Sequence, residues 1–289
     1  MRAISKLMIR FLRILLQRPL TFIGMILTVL FVLMALLGPN VAPYPFDDFV
    51  RDTAGKVIKR VPPSAEFLFG TDKLGRDIYS RVLWGARDII GLAGLATALS
   101  VTFGTMIGLA LGYRGGWVDE VVSRLFDSLL SIPAMVLALA ALATLGASPG
   151  AIVAVIVLLY TPIVARVIRS AALGLRSAGY VEIARLRGES TAYILFREIL
   201  PGVLPALAVE AALRFSYAIF LTASLGFLGL GVQPPSPDWG RMVYEARLDY
   251  ARAPWGLWFP AGSIALLVIS VNLTADGLRR VFRYEGSVI

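Results

Sequence analysis

Long apolar segments dominate this chain of 289 residues, and shorter polar segments separate them. A helix needs about 20 mostly apolar residues to cross a bilayer. Six segments predict membrane-spanning helices, at residues 20–37, 89–111, 125–145, 151–165, 203–230 and 255–273. Pro133 lies inside the third segment and Pro162 interrupts the fourth, so both segments are predicted to be loosened there. The pattern predicts an all-α membrane protein with six transmembrane helices.

Basic residues predict the side of the membrane on which each polar segment lies. With a cytoplasmic N-terminus and six alternating spans, four segments are cytoplasmic: 1–19, 112–124, 166–201 and 277–289. These hold 16 Lys and Arg against 6 Asp and Glu, whereas the external segments hold 10 against 9. The basic excess therefore lies inside, as the positive-inside rule requires, and both termini are predicted to be cytoplasmic.

The first span is predicted to be retained in the protein. Five basic residues precede it without an acidic one, which would also suit a signal peptide: Arg2, Lys6, Arg10, Arg13 and Arg18. The apolar run is long, however, and no small-residue cleavage site follows it. The segment is therefore interpreted as a membrane anchor.

Composition narrows the classes of function. Hydrophobic residues make up 57% of the chain and charged residues 16%, which is too apolar for a soluble domain. There is no Cys and no His, and no phosphate-binding loop or catalytic motif is present. We expect no enzymatic activity, no metal and no cofactor. The net charge of +9 comes without a nucleic-acid-binding motif, so no nucleic-acid partner is expected.

The polar segments suggest how the chain is organised. Residues 38–84 form a long external loop rich in Pro and Gly, and residues 231–254 form a second external segment. The end of the first loop runs into DIYSRVLWGARDII, which is predicted to lie along the membrane surface before the second span. We divide the chain into residues 1–84, with the first span and its loop, and a five-helix core at 85–289.

Charged residues inside spans are the candidates for a translocation path. Glu210 and Arg214 lie four residues apart in the fifth span and can pair on one helix face. A path role and a neutralised structural pair both remain open for them. Asp127 and Asp276 lie close to a membrane face, so structural pairing is favoured there. Small residues at a spacing of four in the second span predict close helix packing: Gly104, Gly108 and Gly112.

The cytoplasmic segment 177–202 reads SAGYVEIARLRGESTAYILFREILPG. Its first half suits a short helix with an apolar stripe, which Gly188 can end in a left-handed conformation. Ser190 or Thr191 can cap a second helix that leads to Pro201 and the fifth span. The segment is therefore predicted to be a helical hairpin whose stripe needs a cover, either the bilayer surface or a groove of a soluble partner.

The hairpin resembles the "EAA" loop of ABC importer permeases, whose pattern is Glu-Ala-Ala, three residues, Gly, nine further residues and then Ile-x-Leu-Pro. Ile183 replaces the middle alanine, and Glu198 stands at the isoleucine position. The matching residues are Glu182, Ala184, Gly188, Leu200 and Pro201. Further blocks, such as FGTDKLGRDIYSRVLWGAR and SLGFLGLGVQPPSPDWGRM, resemble the C-type permease subunit of dipeptide, oligopeptide and nickel ABC importers.

This resemblance implies a transport subunit of a prokaryotic cytoplasmic membrane. With a second, B-type permease it would form the path for peptide uptake through the lipid bilayer. Two P-loop ATPase subunits would hydrolyse ATP, and an external solute-binding protein would deliver the substrate. The hairpin would be the coupling helix that docks in an ATPase groove. Glu182 would orient it through a contact with Arg185 or with the partner, and Gly188 would make its turn. Leu200 and Pro201 would connect it to the fifth span. Contacts with the binding protein would involve Thr71, Asp72, Arg76 and Asp77 with the 231–241 loop.

Two alternatives stay open at this point. A secondary transporter could use Glu210 and Arg214 for ion coupling, without ATPase partners. The same ABC role could also serve oligosaccharides or nickel chelates, because selection would lie mainly in the external binding protein. No residue of the chain reads a substrate directly.

Overall fold

A computed structural model describes residues 18–285 of the chain, with side chains up to residue 280. Within this range the chain is helical and contains no strand, only two isolated β-bridges, Arg51–Val57 and Thr71–Asp77. Four of the basic residues that precede the first span lie outside the described residues: Arg2, Lys6, Arg10 and Arg13.

Nine helices follow one another along the described residues: α1 Pro19–Val41, α2 Ile78–Arg114, α3 Gly116–Leu130, α4 Ala134–Leu145, α5 Pro149–Leu175, α6 Gly179–Leu186, α7 Thr191–Phe227, α8 Trp239–Ala246 and α9 Trp255–Glu285. A π-helical segment, Ile194–Ile199, lies within α7, and a short 3₁₀ turn, Arg247–Asp249, follows α8.

Five of these helices are long and apolar enough to cross a membrane, namely α1, α2, α5, α7 and α9. The pair α3 and α4 adds a sixth span if it is counted as one, although its two helices are bent by 85°. The predicted helical membrane architecture is thus confirmed with five or six candidate spans.

Three details of the predicted spans were wrong. The third span is not one helix, because α3 ends at Leu130 and Pro133 stands before the first residue of α4 instead of inside a helix. Pro162 does not interrupt α5, which continues to Leu175. The stretch predicted to lie on the membrane surface is the first part of α2, so the boundary proposed at residue 84 falls inside a continuous helix.

The central pair of helices is α2 and α5, which run parallel in close contact. The three glycines of α2 allow this approach, since a β-carbon on Gly108 would lie 2.5 Å from the carbonyl oxygen of Ala165. Gly104 faces Val164, and Gly112 faces Ala172, in the same order along both helices. The predicted packing role of these small residues is confirmed.

Helix α2 separates two polar regions of the molecule. It has 37 residues, which corresponds to about 55 Å at 1.5 Å per residue. At its N-terminal end, residues 42–77 and 228–254 pack together, and we call them the loop layer. At its C-terminal end lies the hairpin, residues 177–202. A core between α2, α5, α7 and α9 lies toward the loop layer, and a smaller apolar cluster lies under the hairpin.

Candidate functional site

Gly188 ends α6, the first arm of the hairpin. Its φ is +76°, in the left-handed region where glycine is favoured. The Gly188 N–H donates to the Arg185 carbonyl at 2.9 Å, and the Glu189 N–H donates to the Ala184 carbonyl at 3.2 Å. These two bonds form a Schellman motif. A β-carbon on Gly188 would meet nothing within 4 Å, so the backbone conformation alone requires glycine there.

The apolar residues of α6 lie on two different faces. Val181 and Ala184 are fully buried and belong to the cluster that includes residues of α2, α5 and α7. Tyr180, Ile183 and Leu186 lie three residues apart on another face, with exposures of 44%, 57% and 88%. The single apolar stripe predicted from the sequence is therefore two stripes. One anchors the hairpin to the bundle, and the other stays uncovered.

The charged residues of α6 differ in their contacts. Glu182 is exposed and forms no ion pair within the part of the chain that the structure describes. Arg185 donates from Nε to the hydroxyl of Tyr113 at 3.2 Å, and its guanidinium lies 4.8 Å from the centre of that ring. Arg185 is therefore turned toward the end of α2 and not toward Glu182. A contact between Glu182 and a partner protein stays a prediction.

The second arm of the hairpin is continuous with the fifth predicted span. The Ser190 hydroxyl accepts the Tyr193 N–H at 3.2 Å, so Ser190 caps this arm and Thr191 is its first helical residue. The π-helical segment joins the arm to Leu200, and Pro201 lies in the first turn of the following α-helical part. Short π-helical segments are frequent at functional sites. Because α7 has no break here, the hairpin connects directly to a membrane-spanning helix.

Glu210 and Arg214 form the predicted pair in α7. Arg214 Nε lies 2.7 Å from Glu210 Oε1, although this N–H is not aligned for a hydrogen bond. Both side chains are largely buried. The guanidinium also lies over the rings of Tyr217 at 4.8 Å and Tyr160 at 5.5 Å. Pairing is confirmed, and a role in a translocation path stays a prediction.

Two ion pairs between α3 and α5 were not predicted as pairs. Arg169 Nη2 lies 2.6 Å from Asp119 Oδ2, and Arg166 pairs with Asp127. The structural role favoured for Asp127 agrees with this contact. The partners are 50 and 39 residues apart in the chain. Helical periodicity reveals neighbours three or four residues apart, so it could not match these side chains.

In the loop layer, ion pairs join the two segments that were predicted to be external. Arg76 binds Asp72 at 2.6 Å within its own segment and Glu245 of α8 at 2.7 Å. Arg60 pairs with Asp249 at 2.7 Å. Bonds that cross between segments of distant sequence were not predicted. They make residues 42–77 and 228–254 one structural unit at this end of the bundle.

The four residues predicted to receive a binding protein all have internal contacts. Thr71 is buried, accepts the Val61 N–H at 3.0 Å and donates to the Ile58 carbonyl at 3.2 Å. Asp77 is buried and caps α2 by accepting the Ser80 N–H at 2.7 Å. Asp72 and Arg76 form the ion pair described above. Their contact with a binding protein stays a prediction, and the geometry assigns them first to the fold of the loop layer.

Ion pairing shifts the acidities of two carboxyls in the loop layer. Burial raises the pKa of Glu245, but the hydrogen bond from Arg76 and the charges of Arg76 and Arg81 outweigh it, so this pKa lies below its ordinary value. The hydrogen bond from Arg60 lowers the pKa of Asp249 against a smaller opposing effect of burial. Both carboxyls are therefore held in their charged form.

Comparison with known families gives two matches along the chain. Residues 104–283 match the family described as the binding-protein-dependent transport system inner membrane component. Residues 6–63 match the N-terminal transmembrane domain of oligopeptide transport permease C.

Individual relatives match over most of their length. The dipeptide transport system permease protein DppC of Alkalihalophilus pseudofirmus is 37% identical over 263 residues, or 91% of this chain and 85% of the relative. The glutathione transport system permease protein GsiD of Pectobacterium atrosepticum is 40% identical over 217 residues, or 75% and 72%. A solved inward-facing structure of the MetNI methionine ABC transporter matches with a TM-score of 0.57 at 19% identity, over 71% of this chain and 95% of that one. At that identity the last likeness concerns the fold.

Proposed function

This chain belongs to the family of binding-protein-dependent transport system inner membrane components. On that premise we propose that it forms one half of the channel of an ABC importer that takes up peptides. A second, B-type permease supplies the other half, and separate P-loop ATPases supply the energy. Membership of a binding-protein-dependent family argues against the secondary transporter, so Glu210 and Arg214 are not required for ion coupling. Relatives named for dipeptide and glutathione transport favour peptide substrates over oligosaccharides or nickel chelates.

The observation that carries the proposal is the uncovered apolar face of the hairpin. Ile183 and Leu186 of α6 are exposed, so they gain the favourable free energy of apolar burial only when a partner covers them. The opposite face of α6 is fixed to the bundle through Val181 and Ala184. The hairpin is thus held rigidly while it presents side chains outward. We assign it as the coupling helix that docks in a groove of the ATPase, on the cytoplasmic side.

The continuity of α7 gives the hairpin a route into the membrane. A shift of the docked hairpin would be passed through its second arm, residues 191–199, to the spanning part of α7, because the helix is unbroken at Leu200 and Pro201. Closure of the ATPases would in this way bias the bundle between inward-facing and outward-facing arrangements. The hairpin residues act as a lever, and none of them is catalytic.

The loop layer, at the far end of α2, is assigned to the external side. This orientation agrees with the basic excess of the predicted cytoplasmic segments. The external solute-binding protein would deliver peptide at this surface. Thr71 and Asp77 are buried. We therefore expect the binding protein to contact mainly the exposed side chains around these two residues.

Purification from the native membrane tests the proposal. The tagged chain is extracted in mild detergent, and the co-eluting proteins are identified by mass spectrometry. We expect a second permease and two P-loop ATPases. Elution of the chain alone, under conditions that preserve other membrane complexes, would contradict the ABC assignment.

A charge reversal on the hairpin tests the docking surface. Glu182 is exposed, so Glu182→Lys is expected to leave membrane insertion and the fold intact while ATPase capture and peptide uptake fall. Arg124→Glu, on the exposed face of α3, is the control. Equal loss in both variants would indicate a general effect of charge.

A further inference from the structure

Asp238 is a fully buried carboxyl at the N-terminus of α8 in the loop layer, and its exposure is 0%. Its Oδ1 accepts the Arg241 N–H at 2.8 Å and so caps the helix. Its Oδ2 is also buried and has no hydrogen-bond partner in the described part of the chain. A buried carboxylate oxygen without a donor is costly in its charged form, whereas a protonated carboxyl is neutral.

Close backbone contacts surround this carboxyl. A β-carbon on Gly226, near the end of α7, would lie 2.5 Å from Asp238 Oδ1, and one on Gly231 would lie 3.4 Å from it. A β-carbon on Gly240 would lie 2.3 Å from the Ala223 carbonyl oxygen. The glycines bring the backbones of α7 and α8 together around the acid. A proton neutralises the carboxyl without displacing this backbone, whereas a metal ion with its own oxygen ligands would need more space.

Two charged groups act on Asp238 from the elements around it. From α2, Asp88 opposes its ionisation, and the Asp88 carboxylate itself accepts the Ser236 hydroxyl at 2.6 Å. From α8, Arg241 favours ionisation, but its Nε also lies 3.3 Å from Glu245. From α7 and the following loop, the contacts are the glycines already described. Burial, reinforced by Asp88, raises the pKa of Asp238 to about 7. The backbone hydrogen bonds from Arg241 and Gly240 and the charge of Arg241 act in the opposite direction and are outweighed.

We propose that Asp238 is a proton-binding site that links the packing of α8 on α7 to pH. In the packed arrangement the carboxyl takes up a proton, and the O–H can donate where the charged form has only acceptors. When α8 separates from α7, water reaches the carboxyl, its pKa returns to its ordinary range near 4, and the proton is released. Acid therefore favours the packed loop layer, and the preference is lost as the pH rises through the pKa of the packed form.

The variant Asp238→Asn removes the titration of this side chain while it keeps the size and shape of the side chain. The amide has the size of the acid, keeps an oxygen for the Arg241 N–H, remains a good helix cap and cannot ionise near neutral pH. Hydrogen exchange of residues 239–246 would be measured for the full chain and its co-purifying subunits in lipid nanodiscs. At about pH 5.5 and again at about pH 8.5, the wild-type exchange rate is divided by the rate of the variant at the same pH. This ratio removes the intrinsic pH dependence of exchange.

The expected result follows from linkage. The ratio of the wild-type exchange rate to that of Asp238→Asn should rise on the order of tenfold from the acidic to the alkaline pH, because the packed form must hold a buried carboxylate once the proton is lost. A rate ratio that is the same at both pH values would overturn the proposal.

A second variant tests the same site without touching Asp238. Asp88→Asn removes the opposing charge and keeps an acceptor for the Ser236 hydroxyl. The midpoint of the pH-dependent exchange of α8 should move to lower pH, since ionisation of Asp238 becomes easier. An unchanged midpoint would mean that another group titrates.

Discussion

The hairpin and the loop layer lie at opposite ends of α2 and differ in how far their charged side chains are paired and their apolar side chains are buried. In the loop layer, Arg76 bridges Asp72 and Glu245, and Trp239 is fully buried with its indole N–H bonded to the Val82 carbonyl at 3.0 Å. In the hairpin, Leu186 is 88% exposed and Glu182 is exposed without an ion pair among the described residues. The loop layer therefore pairs its central charges internally, whereas the hairpin leaves an apolar face and a charge exposed.

This contrast separates residues that maintain the fold from residues available for binding. A charge with buried partners contributes to stability, and its removal leaves another buried charge unpaired. An exposed apolar side chain contributes little to the isolated chain, but it can anchor an interface. Substitutions in the loop layer should therefore change stability, and substitutions on the open face of the hairpin should change association.

The largest effect on stability is expected from Arg76→Gln. The change leaves Asp72 and Glu245 without their shared guanidinium, at a cost of about 3 kcal/mol. Because the pKa of Glu245 is lowered in the folded chain, this contribution is present above the ordinary pKa of Glu and is lost as the pH falls through the lowered value. Thermal unfolding in detergent should show a large gap from wild type near neutral pH that narrows below about pH 4.

Arg124→Gln is the matched control for this change. Arg124 also pairs with an acid four residues away, but its side chain is 76% exposed, so its loss should cost about 0.5 kcal/mol or less. Equal effects of the two substitutions would remove the distinction between buried and exposed pairs.

A smaller loss of stability is expected from Gly240→Ala. The new methyl group would lie 2.3 Å from the Ala223 carbonyl oxygen, so α8 must move away from α7 at a cost of about 2 kcal/mol. The control is Gly91→Ala on α2, where a β-carbon meets nothing within 4 Å. Thermal unfolding should distinguish them, and a neutral Gly240→Ala would contradict the tight contact between the two helices.

Of the three test substitutions, Gly188→Ala in the hairpin is expected to have the smallest effect on stability. No atom opposes the methyl group, so the cost is the left-handed backbone conformation, about 1 kcal/mol. Gly179→Ala also meets no neighbour, and Gly179 lies in the first turn of α6 without a positive φ. Hydrogen exchange of residues 179–189 should rise for Gly188→Ala alone. A similar rise in both variants would show that backbone conformation at Gly188 is not the cause.

Local sequence patterns predicted much of the fold and of the hairpin. Apolar run lengths located most of the spans, and the glycine at position 188 and a cap at position 190 or 191 delimited the two arms, because each depends on residues a few positions apart. The Glu210–Arg214 pair followed from helical spacing in the same way.

The contacts that local patterns could not reveal join distant parts of the chain. Arg166 and Arg169 of α5 pair with acids of α3, and Arg76 pairs with Glu245 across the loop layer. Burial of Thr71 and Asp77 is likewise a consequence of tertiary packing. The sequence shows only a loop of mixed charge, so these residues were predicted to lie on an exposed binding surface. The two faces of α6 could be separated only once the bundle beneath it was known.

The most direct test of the central claim is ATPase capture by the variant Leu186→Asp. Its control is Leu248→Asp in the loop layer, since the two leucines are 88% and 84% exposed. Both variants would be purified from the membrane with a tag, and the co-eluting subunits quantified by mass spectrometry. We predict that Leu186→Asp loses the ATPase subunits and retains the second permease, while Leu248→Asp retains both. Undiminished ATPase capture by Leu186→Asp would contradict the assignment of the hairpin as the docking site.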